Sequence, residues 1–132
     1  MDFNHFLTSY MPDTSIGSRQ HFKNMLEECV TAEKLGYATV SIPEHHLINL
    51  LMMPSPLQMA VKIASVTKNI KITTGIVVLP LHDMRTYAGE VATADILTDG
   101  RLILGVGRGA FPWEMKRLGT PIEKSKAKLV AS

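Results

Sequence analysis

Three stretches of this sequence carry side chains able to do chemistry. The first is Glu44-His45-His46. Imidazole titrates near neutral pH, so a histidine here suits a general base or a donor to an anionic intermediate. Adjacent residues on an extended backbone point to opposite faces. One histidine of the pair therefore faces a site and the other packs or bonds nearby. The plain alternative is a histidine pair bonding loop backbone. The second stretch is Leu79–Asp83, with His82 and Asp83 at its end. A metal site would recruit one of these two, but nothing has the spacing of a known zinc motif, so no metal ligands are assigned.

The third stretch, Gly105–Gly109, closes RLILGVGRG. Glycine lets backbone pass close to a ligand, and the Arg108 fork suits a phosphate. Gly105 to Ala110 formally meets the relaxed G-x-G-x-x-G/A dinucleotide pattern. That pattern belongs to a first strand–helix turn, and this is the fourth strand. Phe111-Pro112 is a poor helix opening, and position 130, where an acid belongs, is Val130. A nicotinamide-binding fragment is thus a minor alternative. Thr74-Gly75-Ile76 puts a glycine inside a strand, which marks a bulge, an unusual peptide, close ligand approach or a packing need. Phe111, Trp113 and Met115 read as a lid, a partner-binding edge or a cover on the core.

The elements that position these stretches alternate. A short strand at Phe3–Leu7 precedes a loop, Tyr10–Gly17. Ser18 caps a helix to about Leu35, with Phe22, Met25, Leu26, Cys29 and Val30 at helical spacing. Gly36 stops it. A strand at Ala38–Ile42 ends at Pro43. Ser55-Pro56 opens a second helix that buries Leu57, Ala60, Val61 and Ala64 and ends at Asn69. A long β-branched strand, Ile70–Leu79, closes at Pro80. Asp83 caps a third helix, Met84–Thr98, with Ala88, Val91, Ala92 and Ile96 inward. The fourth strand starts at Arg101, with Leu102, Ile103 and Leu104 buried. Thr120-Pro121-Ile122-Glu123 has the form of a capping box and opens a last helix to about Ala131.

Strand–helix alternation implies a parallel sheet with crossover helices, an α/β fold. Both an open doubly wound sheet and part of an eight-unit barrel fit, and both gather ligands at the strand C-termini. All three chemical stretches fall there. A complete barrel takes ~250 residues. The chain has 132 residues, 14 basic and 12 acidic side chains and a net charge of +2. That balance argues against nucleic acid or an anionic membrane as partner. The one cysteine, Cys29, forms no internal disulfide and reads as core, in keeping with a reducing cytoplasm. MDFNHF does not read as a signal peptide, and no apolar run approaches a membrane span.

Four pieces together resemble the luciferase-like flavin monooxygenases: Ala38–Leu47, Lys71–Asp83, Ala94–Arg101 and Leu104–Gly119. The resemblance runs from Phe3 to about Ala127. It implies a TIM-barrel fold, present here as about four βα units, a half barrel. On that view residues 1–132 are a single domain, the N-terminal portion of the barrel. It implies a flavin-dependent oxidoreductase using reduced FMN, or F420 in some branches, with O₂ on an aldehyde, alkane, sulfonate or similar small substrate. A flavin reductase would supply the reduced cofactor. His45 matches the family's catalytic histidine, with Glu44 and His46 as its neighbours. Gly75-Ile76 matches a non-prolyl cis peptide beneath the flavin. Arg108 matches an arginine on the flavin phosphate, with Gly107 and Gly109 beside the ring and ribityl chain. Lys126 stands where luciferases have a second phosphate arginine, keeping the charge without the bidentate fork. A half barrel leaves its first and fourth strands as open edges. The expectation is therefore a truncated chain, not competent alone, that pairs as a homo- or hetero-oligomer. A non-catalytic flavin-binding or assembly subunit, paired through those edges, is the alternative.

Overall fold

The computed structural model describes residues 1–49 and 51–132. Its strands are β1 (Asn4–Phe6), β2 (Thr39–Ile42), β3 (Lys71–Thr74), β4 (Val77–Val78), β5 (Leu102–Ile103) and β6 (Val106–Gly107). Its helices are α1 (Gly17–Lys34), α2 (Pro56–Ala64), α3 (Met84–Leu97), α4 (Pro112–Arg117) and α5 (Ile122–Ala131). Strands β1, β2, β3 and β5 form one parallel sheet in that order. Strands β4 and β6 pair in parallel just beyond it. Helices α1, α2 and α3 connect strands that are neighbours in this sequential parallel order, so right-handed crossovers put all three on one face. The architecture is α/β and forms part of a barrel. No helix of the described residues is long and apolar enough to cross a membrane.

Alternation within the strands decides which face is dry. Val40, Ile42, Ile70 and Ile72 point to the helical layer and pack with Met25, Cys29, Ala60 and Ile63. A second cluster joins Val77 and Leu79 to Leu57, Tyr87 and Ala94. Burial drives the Cys29 thiol pKa up to about 12, so it is an inert core group.

Several expected boundaries move, each for a local reason. Helix α1 begins at Gly17, because a 3₁₀ turn at Thr14–Ile16 precedes it and Asp13, not Ser18, takes the capping bond, from the Ser15 N–H at 2.9 Å. Helix α2 ends at Ala64, five residues before Asn69. The following loop is bound to its neighbours instead. The Glu33 carboxylate accepts the backbone N–H groups of Lys68, Asn69 and Ile70. Arg101 donates to the carbonyls of Ala64 and Thr98 and to the Thr67 hydroxyl. The long third strand divides into β3 and β4 around a cis peptide at Gly75-Ile76.

The fourth strand is not buried as its apolar run suggests. Ile103 and Leu104 are each 40% exposed, because β5 is the last strand of the sheet and no further strand among the described residues pairs with it. Strand β1 ends the sheet on the other side, as the open-edge expectation requires. Helix α3 also sits differently. Tyr87 and Ala94 face inward, while Ala88, Ala92 and Ile96 face outward, Ile96 at 74% exposure. Pro112 opens a helix after all, at the first position of α4, where its missing N–H costs nothing. The Thr120 capping box does not form. Thr120 donates instead to the Pro80 carbonyl at 3.2 Å and accepts from Lys128 at 2.6 Å.

Candidate active site

The chain leaves β2 at Pro43, and the next three residues turn across the top of the sheet. The His45 N–H donates to the Met53 carbonyl at 2.9 Å, which fixes the backbone beneath the ring. The His45 side chain then lines a cavity of about 320 Å³ at the strand C-termini. Phe6, Ile76, Val78, Phe111 and Met115 supply its apolar wall; Glu44, Arg108 and Glu114 supply its charge. Phe111 stands edge-on to His45 with ring centroids 5.2 Å apart. On another side of His45 lies a depression of about 540 Å³ lined by Met11, Leu47, Ile48, Leu51 and Met52. A larger groove, about 870 Å³, runs between α2 and α3, lined by Leu57, Val61, Ala94 and Leu97 among others. The convergent acid–base groups lie at the smaller cavity, which is why the site is placed there.

Glu44 is the electrostatic node. Its side chain is 0% exposed. One carboxylate oxygen accepts from His46 Nε2 at 2.7 Å and from His82 Nε2 at 2.8 Å. The other accepts the Val78 N–H at 2.7 Å. Burial alone would raise the pKa of this acid. The bonds from His46, His82 and Val78 outweigh burial and bring it down to about 2. The same bond to Glu44 raises the pKa of His46. Glu44 thus ties the ends of β2 and β4 together and holds both histidines in place. His82 in turn stacks on Tyr87 at 4.0 Å between centroids. Burial raises the Tyr87 pKa, and its hydroxyl is sealed without a partner among the described residues.

The glycine-rich stretch closes the cavity by close approach. A Cβ on Gly105 would run into the Thr74 carbonyl. The Thr74 hydroxyl occupies the space next to it, donating to the Gly105 carbonyl at 2.8 Å and accepting its N–H at 2.9 Å. A Cβ on Gly107 would meet the Ile76 side chain. Gly109 has φ +84°, and a Cβ there would sit 2.8 Å from Met115 Sδ and 2.9 Å from Val78 Cγ1. Arg108 projects between these glycines at the cavity wall and enters no ion pair among the described residues. A guanidinium free of ion pairs beside bare backbone has the donors that an anion requires.

The chain as a whole has relatives among known proteins. The luciferase-like monooxygenase family matches residues 1–130. The chain belongs to that family. It is 32% identical over 127 residues to protein y4vJ of Sinorhizobium fredii, covering 96% of this chain and 36% of that protein. It is 35% identical over 100 residues to the oxygenase component of a flavin-dependent trigonelline monooxygenase of Acinetobacter baylyi, covering 76% of this chain and 28% of that one. The oxygenating constituent of 3,6-diketocamphane monooxygenase from Pseudomonas putida, solved with FMN, superposes with a TM-score of 0.86 at 23% identity, over 98% of this chain and 38% of that one. The chain thus spans about a third of the length of the relatives it matches, which agrees with a partial barrel.

Within this luciferase-like frame, Glu44, His45, Gly75, Ile76, Arg108 and Gly109 line the cavity. Three other residues singled out from sequence do not. His46 is turned onto Glu44, Gly107 packs against Ile76, and Lys126 is exposed on α5 outside the cavity lining. Lys128, two residues on, is the α5 lysine that reaches inward, to the Pro80 carbonyl at 3.3 Å. Sequence reasoning missed Glu114 and Phe6. Glu114 is buried between Trp113 and Met115, and an acid inside an apolar run was the available signal.

Proposed function

We propose that this chain carries the flavin site of a monooxygenase that uses reduced FMN and O₂ on a small organic substrate. One observation bears most of the weight: Arg108, in no ion pair among the described residues, and a cavity-lining His45 share one cavity at the strand ends. The residues fit the cofactor. Arg108 and the bare backbone at Gly109 suit a phosphate and ribityl chain. Gly75, Ile76, Val78 and Met115 supply apolar lining against which a ring system can pack. Reduced flavin, when bound, supplies the electrons that activate O₂. The protein's own part is to orient the ring, exclude water through Phe6, Phe111 and Met115, and hold or move a proton at His45.

The relative named as an oxygenase component supports a partner reductase as the source of reduced flavin. The relative named as flavin-dependent supports a flavin as the cofactor; the solved neighbours include both an FMN complex and F420-dependent enzymes. The methionine- and leucine-lined depression beside His45 favours an apolar substrate, in keeping with an aldehyde or alkane.

The test is titration of the purified chain with FMN and with riboflavin, with mass measured by light scattering in the same sample. FMN should bind more tightly than riboflavin. Arg108→Met should weaken FMN about 10- to 100-fold, the worth of one charge-assisted contact, and leave riboflavin unchanged. Equal affinity for the two ligands, or no binding by a folded chain, overturns the proposal.

A second reading rests on the sheet edges. Phe3, Phe6, Ile103 and Leu104 are exposed on the two terminal strands and their flanks. On this reading the chain is a flavin-binding assembly subunit that pairs through those edges without turning over. It predicts an oligomer by light scattering and no effect of His45→Gln on any property but folding.

A further inference from the structure

His45 presents an unsolved polar contact. Its Nδ1 is sealed from solvent and makes no hydrogen bond among the described residues. The ring as a whole is 19% exposed, so its opening to solvent lies on its other edges. The polar group nearest to hand is Glu114. One Glu114 oxygen accepts the His46 N–H, which anchors the carboxylate to the β2 turn across 68 residues of sequence. The other lies 3.6 Å from His45 Nδ1. That is too long for a hydrogen bond and close enough for a small ring rotation to make one. Acid–base hydrogen bonds in empty sites are commonly long and tighten on loading. Glu114 is 6% exposed at its side chain, and the α4 helix that carries it also supplies Met115 to the cavity wall.

We propose that Glu114 is a positioning residue for His45: it holds the neutral ring with its proton on Nδ1, leaving Nε2 as the free base. The role assigned to that base rests on the flavin-site reading above; the tautomer does not. A buried carboxylate only accepts, so the nitrogen facing it must be the donor. An unprotonated Nδ1, itself buried, would set two lone pairs against each other. The other two histidines provide an internal contrast. His46 and His82 both face Glu44 through Nε2, so their neutral rings carry the proton on Nε2. Three histidines within one site are therefore sorted into two tautomers by two acids.

The measurement is the long-range proton–nitrogen spectrum of the uniformly labelled full chain in alkaline buffer, with His45→Gln used to assign the ring. In the wild type, His45 should show an Nδ1–H ring, and His46 and His82 should show Nε2–H rings. In Glu114→Gln the amide oxygen keeps the His46 N–H, so the amide NH₂ turns to His45. The His45 proton should then move to Nε2, while His46 and His82 stay as they were. An Nε2–H ring in the wild type overturns the proposal, and that result does not depend on the variant folding. An Nδ1–H ring that persists in Glu114→Gln also overturns it. FMN titration of the same wild-type sample separates the two readings. A chain that shows the tautomer switch and binds no flavin sustains the positioning role and removes the flavin site.

Discussion

Glu44→Gln tests whether the buried node holds the site together. The carboxylate takes two imidazole donors on one oxygen and a backbone donor on the other. An amide has one oxygen. If it serves the histidines, its NH₂ faces the Val78 N–H; if it serves Val78, its NH₂ faces both rings. In the first arrangement the Val78 N–H loses its acceptor; in the second both rings must give up the Nε2–H tautomer that the carboxylate holds. The fall of the Glu44 pKa from 4.5 to about 2 corresponds to about 3 kcal/mol. With a denaturant slope of about 2 kcal/mol/M, the urea midpoint should drop by about 1.5 M at pH 6. The pH dependence adds a second constraint. A depressed carboxylate pKa stabilises the fold above 4.5, and this contribution is lost as pH falls toward 2. The raised His46 pKa stabilises it below 6.5, and that part is lost as pH rises through the folded-state value. The stability difference between wild type and Glu44→Gln should therefore peak between about pH 4.5 and 6.5 and shrink on both sides. A difference below about 1 kcal/mol at the peak, or one that is flat with pH, would refute the reasoning, because a neutral amide would then be doing the work of the charge.

Other consequences are as direct. Thr74→Val keeps the shape but strips both bonds to Gly105, so urea unfolding should show a loss of about 2 kcal/mol. An unchanged midpoint would mean that water replaces the hydroxyl. Gly109→Ala places a Cβ against Met115 and Val78 at φ +84° and should cost about 2 kcal/mol, together with weaker FMN binding. Full stability in that variant would show that α4 moves aside freely. Arg108→Met, by contrast, should leave the urea midpoint unchanged while FMN affinity falls, since its guanidinium enters no ion pair among the described residues.

Much of this protein was legible in one dimension. Apolar runs with β-branched residues, separated by amphipathic segments and stopped by glycine or proline, fix the strand–helix alternation, because each signal acts over a few residues. The alternation in turn places Glu44-His45-His46 and Gly105–Gly109 at the same sheet edge. The family resemblance rests on those same stretches. What the sequence left open depends on contacts between distant segments. His46 and His45 differ by one position, yet Glu44 claims the first and the cavity the second. Helix α3 has apolar residues on more than one face, and packing against α2 chose Tyr87 and Ala94 over Ala88, Ala92 and Ile96. Lys126 and Lys128 are indistinguishable by composition, and only the rotation of α5 against Pro80 turns one inward. Glu114 looks like a surface charge until the fold carries it across 68 residues to the His46 amide. Local propensity determines the elements because it is summed over neighbours in the chain. The site is decided in three dimensions, because a buried charge takes its meaning from the donors that tertiary packing brings to it.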